Sequence, residues 1–186
     1  SWVGYATGWR IDVEEVVELA HQKGALVFLD AIQGLGVFPI DVKKTPVDFL
    51  AADGHKWLLG PEGAGIFYLR TEHLDRLRAI GIGWNSVENR HHFEKIELKL
   101  RPEAARYEGG TLNMPGFLGL GASLDLLLQH GVSSTNDALS KRVLELGDLA
   151  CDELRRIGAT VMTHRGPHCS SGIISFLPPR GAPLAV

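Results

Sequence analysis

The sequence has little of what marks several classes of protein. Two of its 186 residues are cysteine, Cys151 and Cys169, and their different surroundings indicate a reducing compartment rather than a disulfide scaffold. No apolar run approaches the roughly 20 residues that a membrane-spanning helix needs, and no signal peptide opens the chain. There is no internal repeat and no low-complexity tract. These absences predict a cytoplasmic protein without a membrane anchor.

An excess of charge of one sign is also missing. The 19 basic and 22 acidic residues leave a formal net charge of -3 at pH 7, so neither a nucleic acid nor an anionic membrane is an expected partner. Hydrophobic residues make up 45% of the chain and charged residues 22%, which is typical of a soluble globular protein. A chain of this length can bury a hydrophobic core of ordinary size.

One lysine stands in an unusual position between a strand-like run and a glycine-rich turn. Lys56 lies in the stretch 51–57 (AADGHKW), which follows the largely apolar run 47–50 (VDFL) and precedes the turn 60–63. Burial there would favour the neutral amine, which can form a Schiff base. A lysine that reaches solvent from a strand end explains the same residues, because ammonium groups are rarely buried without a partner. Both interpretations stay open at this point.

An acidic residue ends a second apolar run. Residues 25–29 are continuously apolar and predict a strand buried on both faces of a parallel sheet, with Asp30 directly after it. Ligands of open parallel sheets bind outside the carboxyl ends of the strands, where Asp30 and Lys56 would both lie. A lysine that binds an aldehyde and an acid that keeps a pyridine nitrogen protonated are what a pyridoxal cofactor needs.

The rest of the chain alternates strand and helix patterns. Asp12 predicts the N-cap of a helix that ends at Gly24, and this helix connects a predicted strand over residues 1–5 to the strand before Asp30. The right-handed parallel crossover is expected for such a unit. Further segments are a strand over residues 63–69, a helix from Pro115 to about Gln129, a helix from about Asn136 to Ile157, and strands over residues 159–163 and 172–176. Prolines between residues 178 and 183 then interrupt regular structure.

Four segments resemble the class V aminotransferase family, which includes cysteine desulfurases, selenocysteine lyases and isopenicillin-epimerase-like enzymes. They are residues 29–34 (LDAIQG), 48–49 (DF), 54–63 (GHKWLLGPEG) and 107–113 (YEGGTLN). The resemblance runs from about residue 1 to about residue 177. It implies an α/β protein with the type I fold of pyridoxal-phosphate enzymes, a mainly parallel sheet flanked by helices. It also implies that residues 1–135 belong to the large cofactor-binding domain and residues 136–186 to a linking helix and the beginning of a small C-terminal domain.

The resemblance implies a role for several residues at the predicted strand ends. Lys56 would bind pyridoxal 5'-phosphate covalently and carry protons, and Asp30 would pair with the pyridinium nitrogen. Gln33 and His55 would position the ring and the phosphate group. From the residues alone, Gln33 can also satisfy the backbone of its own loop, and His55 can be a packed loop histidine.

A second set of implied residues concerns a partner subunit. Gly110 and Thr111 offer backbone N–H groups and a hydroxyl ahead of a helix, which is a suitable anion cradle. In the family this threonine reaches the phosphate of the other subunit's cofactor, so a homodimer with shared active sites is expected. The polar segment 79–106 corresponds to a substrate-facing loop. No metal is expected at His91 and His92, because no further ligand has convincing spacing.

Asp53 departs from the family pattern, and Cys169 matches part of a family motif without the same predicted role. Asp53 stands where many members carry a serine that binds the phosphate, and a carboxylate there would repel that phosphate unless it is neutralised or turned away. Cys169 follows Arg165 and His168 in a run that resembles a desulfurase motif, but the family nucleophile comes several dozen residues later. We therefore predict that Cys169 is a loop cysteine and Cys151 a helix-packing one, neither of them catalytic.

The sequence thus predicts a pyridoxal-phosphate-dependent enzyme that acts on a small-molecule amino-acid substrate, as a desulfurase-like lyase or an aminotransferase. Transamination, desulfuration and epimerisation stay open. So does a non-catalytic relative that keeps the fold as a dimerisation or interaction module, although the retention of Lys56 with Asp30 argues against it. Both ends of the resemblance lack family segments, so the chain is expected to be the central part of a longer enzyme.

Overall fold

The first helix forms where local capping signals place it. The structure, a computed structural model, describes residues 1–95 and 97–179. Helix α1 spans Val13–Gln22, and the Asp12 carboxylate accepts a hydrogen bond of 3.1 Å from the backbone N–H of Glu15. Its apolar face buries Val13 and Val17, and Gly24 follows with a φ of 70°, a backbone conformation that favours glycine. The predicted helix is confirmed.

The central sheet has three strands and is mixed. Strand β1 (Phe28–Asp30) pairs in parallel with β2 (Phe49–Asp53), and β2 pairs antiparallel with β3 (Gly65–Leu69). In this register Asp30 stands opposite Ala51 and Asp53 stands opposite Gly65. The carboxyl ends of β1 and β2 therefore meet at one edge of the sheet, as the sequence predicts.

The predicted strand over residues 1–5 is wrong. Val3 forms a single antiparallel bridge with Arg10, and the chain between them reverses through backbone hydrogen bonds that join Gly4 to Trp9 and Gly8 to Gly4. The backbone N–H of Trp2 donates to the carbonyl oxygen of Asp30 at 2.8 Å. The segment therefore lies beside β1, but the reversal at the glycines prevents a continuous ladder, and no strand precedes α1 in the described residues.

Strand β1 is shorter than the predicted run of residues 25–29. The backbone N–H of Val27 donates to the side-chain carboxylate of Asp48 at 2.7 Å instead of to a neighbouring backbone carbonyl. The carbonyl oxygen of Val27 accepts from the N–H groups of Asp48 and Phe49 at 3.1 Å each. A side chain thus satisfies the backbone where the regular ladder begins.

Two longer helices follow the sheet. Helix α2 spans Met114–Gln129, and the Asn113 side chain caps it by accepting from the N–H of Gly116 at 3.1 Å. Helix α2 buries Leu120 against the core. Helix α3 spans Ala138–Arg156, and Gly158 follows it with a φ of 85°. Both helices match the predicted segments to within about two residues.

The last described part is a short hairpin packed on the first turn. Strands β4 (Thr160–Val161) and β5 (Phe176–Leu177) pair antiparallel. The Ser171 hydroxyl donates to the carbonyl oxygen of Gly8 at 2.7 Å, and Nε of Arg10 donates to the carbonyl oxygen of Ser170 at 2.9 Å. The predicted domain division at residues 135/136 stays a prediction, and the predicted break at residues 180–183 lies outside the described residues.

One hydrophobic core unites these elements. It lies between α1, the sheet and the inner side of α2, and the loop after β1 also contributes to it. Its buried members are Trp2, Val3, Val13, Val17, Leu29, Ala31, Val37, Phe38, Val47, Leu50, Ala52, Leu58, Ala64, Leu120 and Leu127.

Candidate active site

A pocket of about 430 Å³ lies at the edge where β1 and β2 end and β3 begins. Two carboxylates, Asp30 and Asp53, line it together with small and apolar residues. Its size is within the range usual for small-ligand sites. The pocket is formed by Asp30, Ile32, Ala51, Ala52, Asp53, Gly63, Ala64, Gly65, Ile66 and Phe67.

Asp30 is held at this edge by the turn that follows β1. Its carboxylate oxygen Oδ1 accepts a hydrogen bond of 3.2 Å from the backbone N–H of Ile32, and its backbone carbonyl accepts from Trp2. The side chain is half-buried. Asp30 is therefore oriented by its own loop and faces the pocket, which is what an acid paired with a ring nitrogen needs.

Gln33 lies in the same turn, whose backbone hydrogen bonds are made without its side chain. The carbonyl oxygen of Ala31 accepts from the N–H groups of Gly34 at 3.0 Å and Leu35 at 2.8 Å. Within the described ranges the Gln33 amide makes no hydrogen bond of its own, and the residue is half-buried. The interpretation that Gln33 satisfies loop backbone therefore gains no support.

The turn after Asp30 packs against the loop that carries Lys56. Gly36 has a φ of 100°, and a Cβ at that position would come within 2.5 Å of the carbonyl oxygen of Trp57. Gly36 therefore allows a close approach of two backbones that a larger residue would prevent. This contact brings the Asp30 turn and the Lys56 loop together at one edge of the sheet.

The Lys56 loop is closed by backbone hydrogen bonds at both ends. The N–H of Gly60 donates to the carbonyl of Gly54 at 2.8 Å, and the N–H of Leu59 donates to that of Lys56 at 3.0 Å. Leu59 has a φ of 57°, which is uncommon for a residue other than glycine. The Lys56 side chain is exposed and does not line the described pocket. The burial considered from the sequence is thus not observed.

His55 and Asp53 lie side by side at the end of β2. Nδ1 of His55 is 3.3 Å from Oδ2 of Asp53, within ion-pair distance but without hydrogen-bond geometry. That nitrogen is buried and makes no hydrogen bond with any described residue. A buried polar atom without a partner is costly, which makes this histidine a notable group at the candidate site.

Gly110 and Thr111 do not line this pocket and lie between a 3-10 turn (Ala104–Tyr107) and α2. Thr111 is exposed, and a Cβ at Gly110 would have nothing within 4 Å. The Nδ2 group of Asn113 donates to the carbonyl oxygen of Gly63 at 3.2 Å, which ties this segment to the rim of the pocket.

A second pocket, of about 420 Å³, lies in the predicted substrate-facing loop. Apolar and basic side chains line it, including Trp84, Arg90, His92, Phe93 and Lys95. Nδ1 of His92 lies 3.1 Å from Glu94. In residues 1–95 and 97–179 no group of three or more metal-binding side chains comes together.

The segment that contains Cys169 is held in place by Arg165. The Arg165 guanidinium donates to the carbonyl oxygens of Leu144 at 2.9 Å and Ser171 at 2.7 Å and pairs with Asp148. Cys169 is buried, whereas His168 is exposed. The thiol and the imidazole therefore do not share an environment.

Sequence reasoning missed a buried carboxylate at the opposite edge of the sheet. Asp48 accepts hydrogen bonds from Nε2 of His73 at 2.7 Å, from Nε2 of His21 at 2.9 Å and from the N–H of Val27. Burial by itself raises the pKa of Asp48, but the bonds from His21, Val27 and His73 outweigh it and lower the pKa to about 2. No sequence spacing signals the cluster, because its members come from four separate segments.

The chain belongs to the class V aminotransferase family. The family model described as aminotransferase class-V matches residues 1–183. The fold is the type I fold of pyridoxal-phosphate-dependent transferases, as the solved structures below show.

Among the curated relatives, a probable cysteine desulfurase from Methanothermobacter thermautotrophicus is 34% identical over 180 residues, which are 94% of this chain and 42% of that protein. An uncharacterized aminotransferase from Bacillus subtilis is 36% identical over 135 residues, which are 73% of this chain and 35% of that protein. The chain thus spans about two-fifths of the length of the relatives it matches.

Among solved structures, the apo cysteine desulfurase of Thermococcus onnurineus superposes with a TM-score of 0.83 at 30% identity, covering 96% of this chain and 43% of that one. A cystine C–S lyase mutant with glycine covalently linked to its pyridoxal-phosphate cofactor has a TM-score of 0.82 at 21% identity, covering 94% and 45%. The second likeness shows the fold alone. In the described ranges no helix is both long and apolar enough to cross a membrane.

Proposed function

We propose that the chain forms part of a pyridoxal-phosphate-dependent enzyme that acts on an amino acid, as a desulfurase-like lyase or an aminotransferase. The observation that carries this proposal is the placement of Asp30 beside the Lys56 loop at the carboxyl edge of the sheet. Asp30 stands opposite Ala51, five residues before Lys56, and the Gly36–Trp57 approach closes the two loops on each other.

The residues present fit the cofactor. The pocket of about 430 Å³ is large enough for a single substituted pyridine ring and presents the carboxylate of Asp30. His55 stands two residues after Asp53, at the end of β2, and its side chain is partly buried. A carboxylate for the ring nitrogen and an imidazole for the phosphate group are what the bound cofactor would use.

A particular group of each proposed residue takes part in the chemistry. Nζ of Lys56 is exposed and can bind an aldehyde covalently and then move a proton. The carboxylate of Asp30 holds a proton on a pyridine nitrogen, and the Gln33 amide and the His55 imidazole orient the ring and the phosphate. The bound cofactor supplies an electron sink for reactions at the α-carbon of an amino acid.

We further propose a homodimer in which Gly110 and Thr111 bind the phosphate group at the partner's site. The support is that neither residue lines this chain's own pocket, together with the exposure of Thr111 and the open space at Gly110. Backbone N–H groups that precede a helix suit an anion, and α2 begins three residues after Thr111.

The test is to trap the covalent cofactor adduct with borohydride and to map it by mass spectrometry. We expect the adduct on Lys56, and we expect Lys56→Ala to lose it. Lys43→Ala and Lys44→Ala are matched controls that should keep it. An adduct on Lys43, Lys44 or Lys95 would refute the site, and no adduct in a folded protein would favour the non-catalytic relative.

A further inference from the structure

Asp53 is a pocket carboxylate that stands next to the proposed phosphate-binding residue His55 and has no role in the proposed function. It is the last residue of β2 and lines the pocket with Asp30. A carboxylate repels a phosphate dianion, and the family pattern has a hydroxyl at this position. The question is what this carboxylate does instead.

Both oxygens of Asp53 lie next to groups of its own loop. Oδ1 accepts a hydrogen bond of 2.7 Å from the backbone N–H of Gly54. Oδ2 lies 3.3 Å from Nδ1 of His55. The two atoms are already close to hydrogen-bonding distance, so the direction of the N–H group is what has to change for a hydrogen bond to form.

The imidazole of His55 presents different surroundings to its two nitrogens. Nδ1 is buried and has Asp53 as its ion-pair neighbour. The side chain as a whole is 28% exposed, whereas Nδ1 contributes almost nothing to that surface. Of the two ring nitrogens, Nε2 is therefore the one that we assign to a ligand.

We propose that Asp53 is a positioning residue that acts through His55. Its carboxylate accepts Nδ1–H, fixes the plane of the ring and directs Nε2 toward an anionic group of the ligand. This inference rests on the proposed role of His55 at the cofactor phosphate.

In this proposal the His55 imidazole carries a proton on both nitrogens when the phosphate is bound. A neutral imidazole has one N–H, so Nδ1–H leaves Nε2 as an acceptor, which cannot bind a dianion. The His55 imidazole must therefore take up one proton from solvent when the phosphate binds. It then lies between two anions, Asp53 at Nδ1 and the phosphate at Nε2. Asp30 lines the same pocket, Lys56 follows His55 directly, and Glu62 stands next to the pocket residue Gly63.

The first measurement needs no cofactor. Long-range ¹⁵N–¹H NMR correlations report which nitrogen of each histidine carries the proton, and His55→Gln assigns the signal among the eight histidines. At alkaline pH we expect the neutral Nδ1–H tautomer in the wild type and in Asp53→Asn, which keeps an acceptor. Asp53→Ala should lose this preference. Asp41→Ala is the control, because Asp41 also bonds its own loop, through Lys43 N–H at 2.9 Å.

The second measurement compares pyridoxal 5'-phosphate with pyridoxal, which lacks the phosphate. In the wild type, binding of pyridoxal 5'-phosphate should leave His55 protonated on both nitrogens. The preference for pyridoxal 5'-phosphate over pyridoxal, measured as the ratio of the two affinities, should fall roughly threefold to tenfold in Asp53→Ala. It should fall less in Asp53→Asn, since one charge-assisted bond is weakened.

The outcomes separate this inference from the proposed function. An Nε2–H tautomer in the wild type, or an unchanged tautomer and affinity ratio in Asp53→Ala, would overturn the positioning role while the phosphate site stands. If the cofactor binds Lys56 but leaves the His55 signals unchanged, His55 does not bind the phosphate and the positioning role falls with it. If no cofactor binds a folded protein, the proposed function itself fails.

Discussion

At the scale of single residues, the proposed site rests on two side chains at one edge of the sheet. Asp30 is oriented by the N–H of Ile32, whereas Lys56 is exposed on its loop. In the proposed function the acid holds the cofactor ring and the amine moves protons.

Asp30→Asn tests the acid alone. The amide has nearly the same shape and keeps the turn, but it cannot hold a proton on a pyridine nitrogen, so the ring becomes a poor electron sink. We expect cofactor binding to persist and turnover to fall roughly 10²-fold or more. Absorbance of the bound cofactor and steady-state kinetics check this, with Asp41→Asn as the matched control. Unchanged turnover would remove Asp30 from the site.

Cys169→Ser tests the prediction that Cys169 is a loop cysteine and not a nucleophile. Cys169 is buried, and its Sγ lies 3.7 Å from the carbonyl oxygen of Gly166, so serine can occupy the same space. We expect unchanged turnover and no persulfide at this position by mass spectrometry after incubation with cysteine. Loss of activity together with loss of a persulfide at residue 169 would instead identify an early nucleophile.

At the scale of elements, Asp48 joins α1, β1, β2 and the 3-10 turn Thr71–His73. It accepts from His21, Val27 and His73, and it is almost fully buried. A buried acceptor with three donors stabilises the fold, because its loss would leave those donors unpaired in a dry environment. The cluster lies at the edge opposite the pocket, so it supports the scaffold and not the chemistry.

Asp48→Ala should therefore lower the free energy of unfolding by about 2–3 kcal/mol. Because the pKa of Asp48 is lowered to about 2 in the folded state, its contribution is fully present above the unfolded value near pH 4 and is lost as the pH falls toward 2. Urea unfolding at several pH values measures this. The difference between wild type and variant should shrink as the pH falls from about 4 toward 2. Asp41→Ala, a mostly local change, should show no comparable pH dependence.

At the scale of the whole molecule, neither Gly110 nor Thr111 lines the pocket of Asp30, which favours the proposed shared sites. A residue outside its own chain's pocket can serve the equivalent site of a symmetry-related subunit. The exposure of Thr111 leaves it accessible for that contact.

Mixing two inactive variants tests this arrangement. Lys56→Ala and Thr111→Val subunits should each be inactive or nearly so, and a hybrid dimer contains one undamaged site. An equal mixture should recover about a quarter of wild-type activity, because half of the dimers are hybrids with one of two sites intact. Activity assays after subunit exchange measure the recovery. Full activity of a monomer in sedimentation would rule out shared sites.

Local signals in the sequence determined the helices and the placement of Asp30 and Lys56. The Asp12 cap, the Gly24 ending and the strand-end positions depend on contacts within a few residues, so they can be predicted without the fold. The family pattern reinforced them, and the comparisons agree with it.

Tertiary structure decided what depends on distant neighbours. The reversal at Gly4 and Gly8 replaced a predicted strand, since a hydrogen-bond ladder needs a partner that the chain must bring alongside. The three donors to Asp48 come from separate segments, so no spacing in the sequence indicates their meeting. Whether Lys56 is buried or exposed likewise depends on the surface that packs around its loop, because burial is a property of the folded chain and not of a residue type.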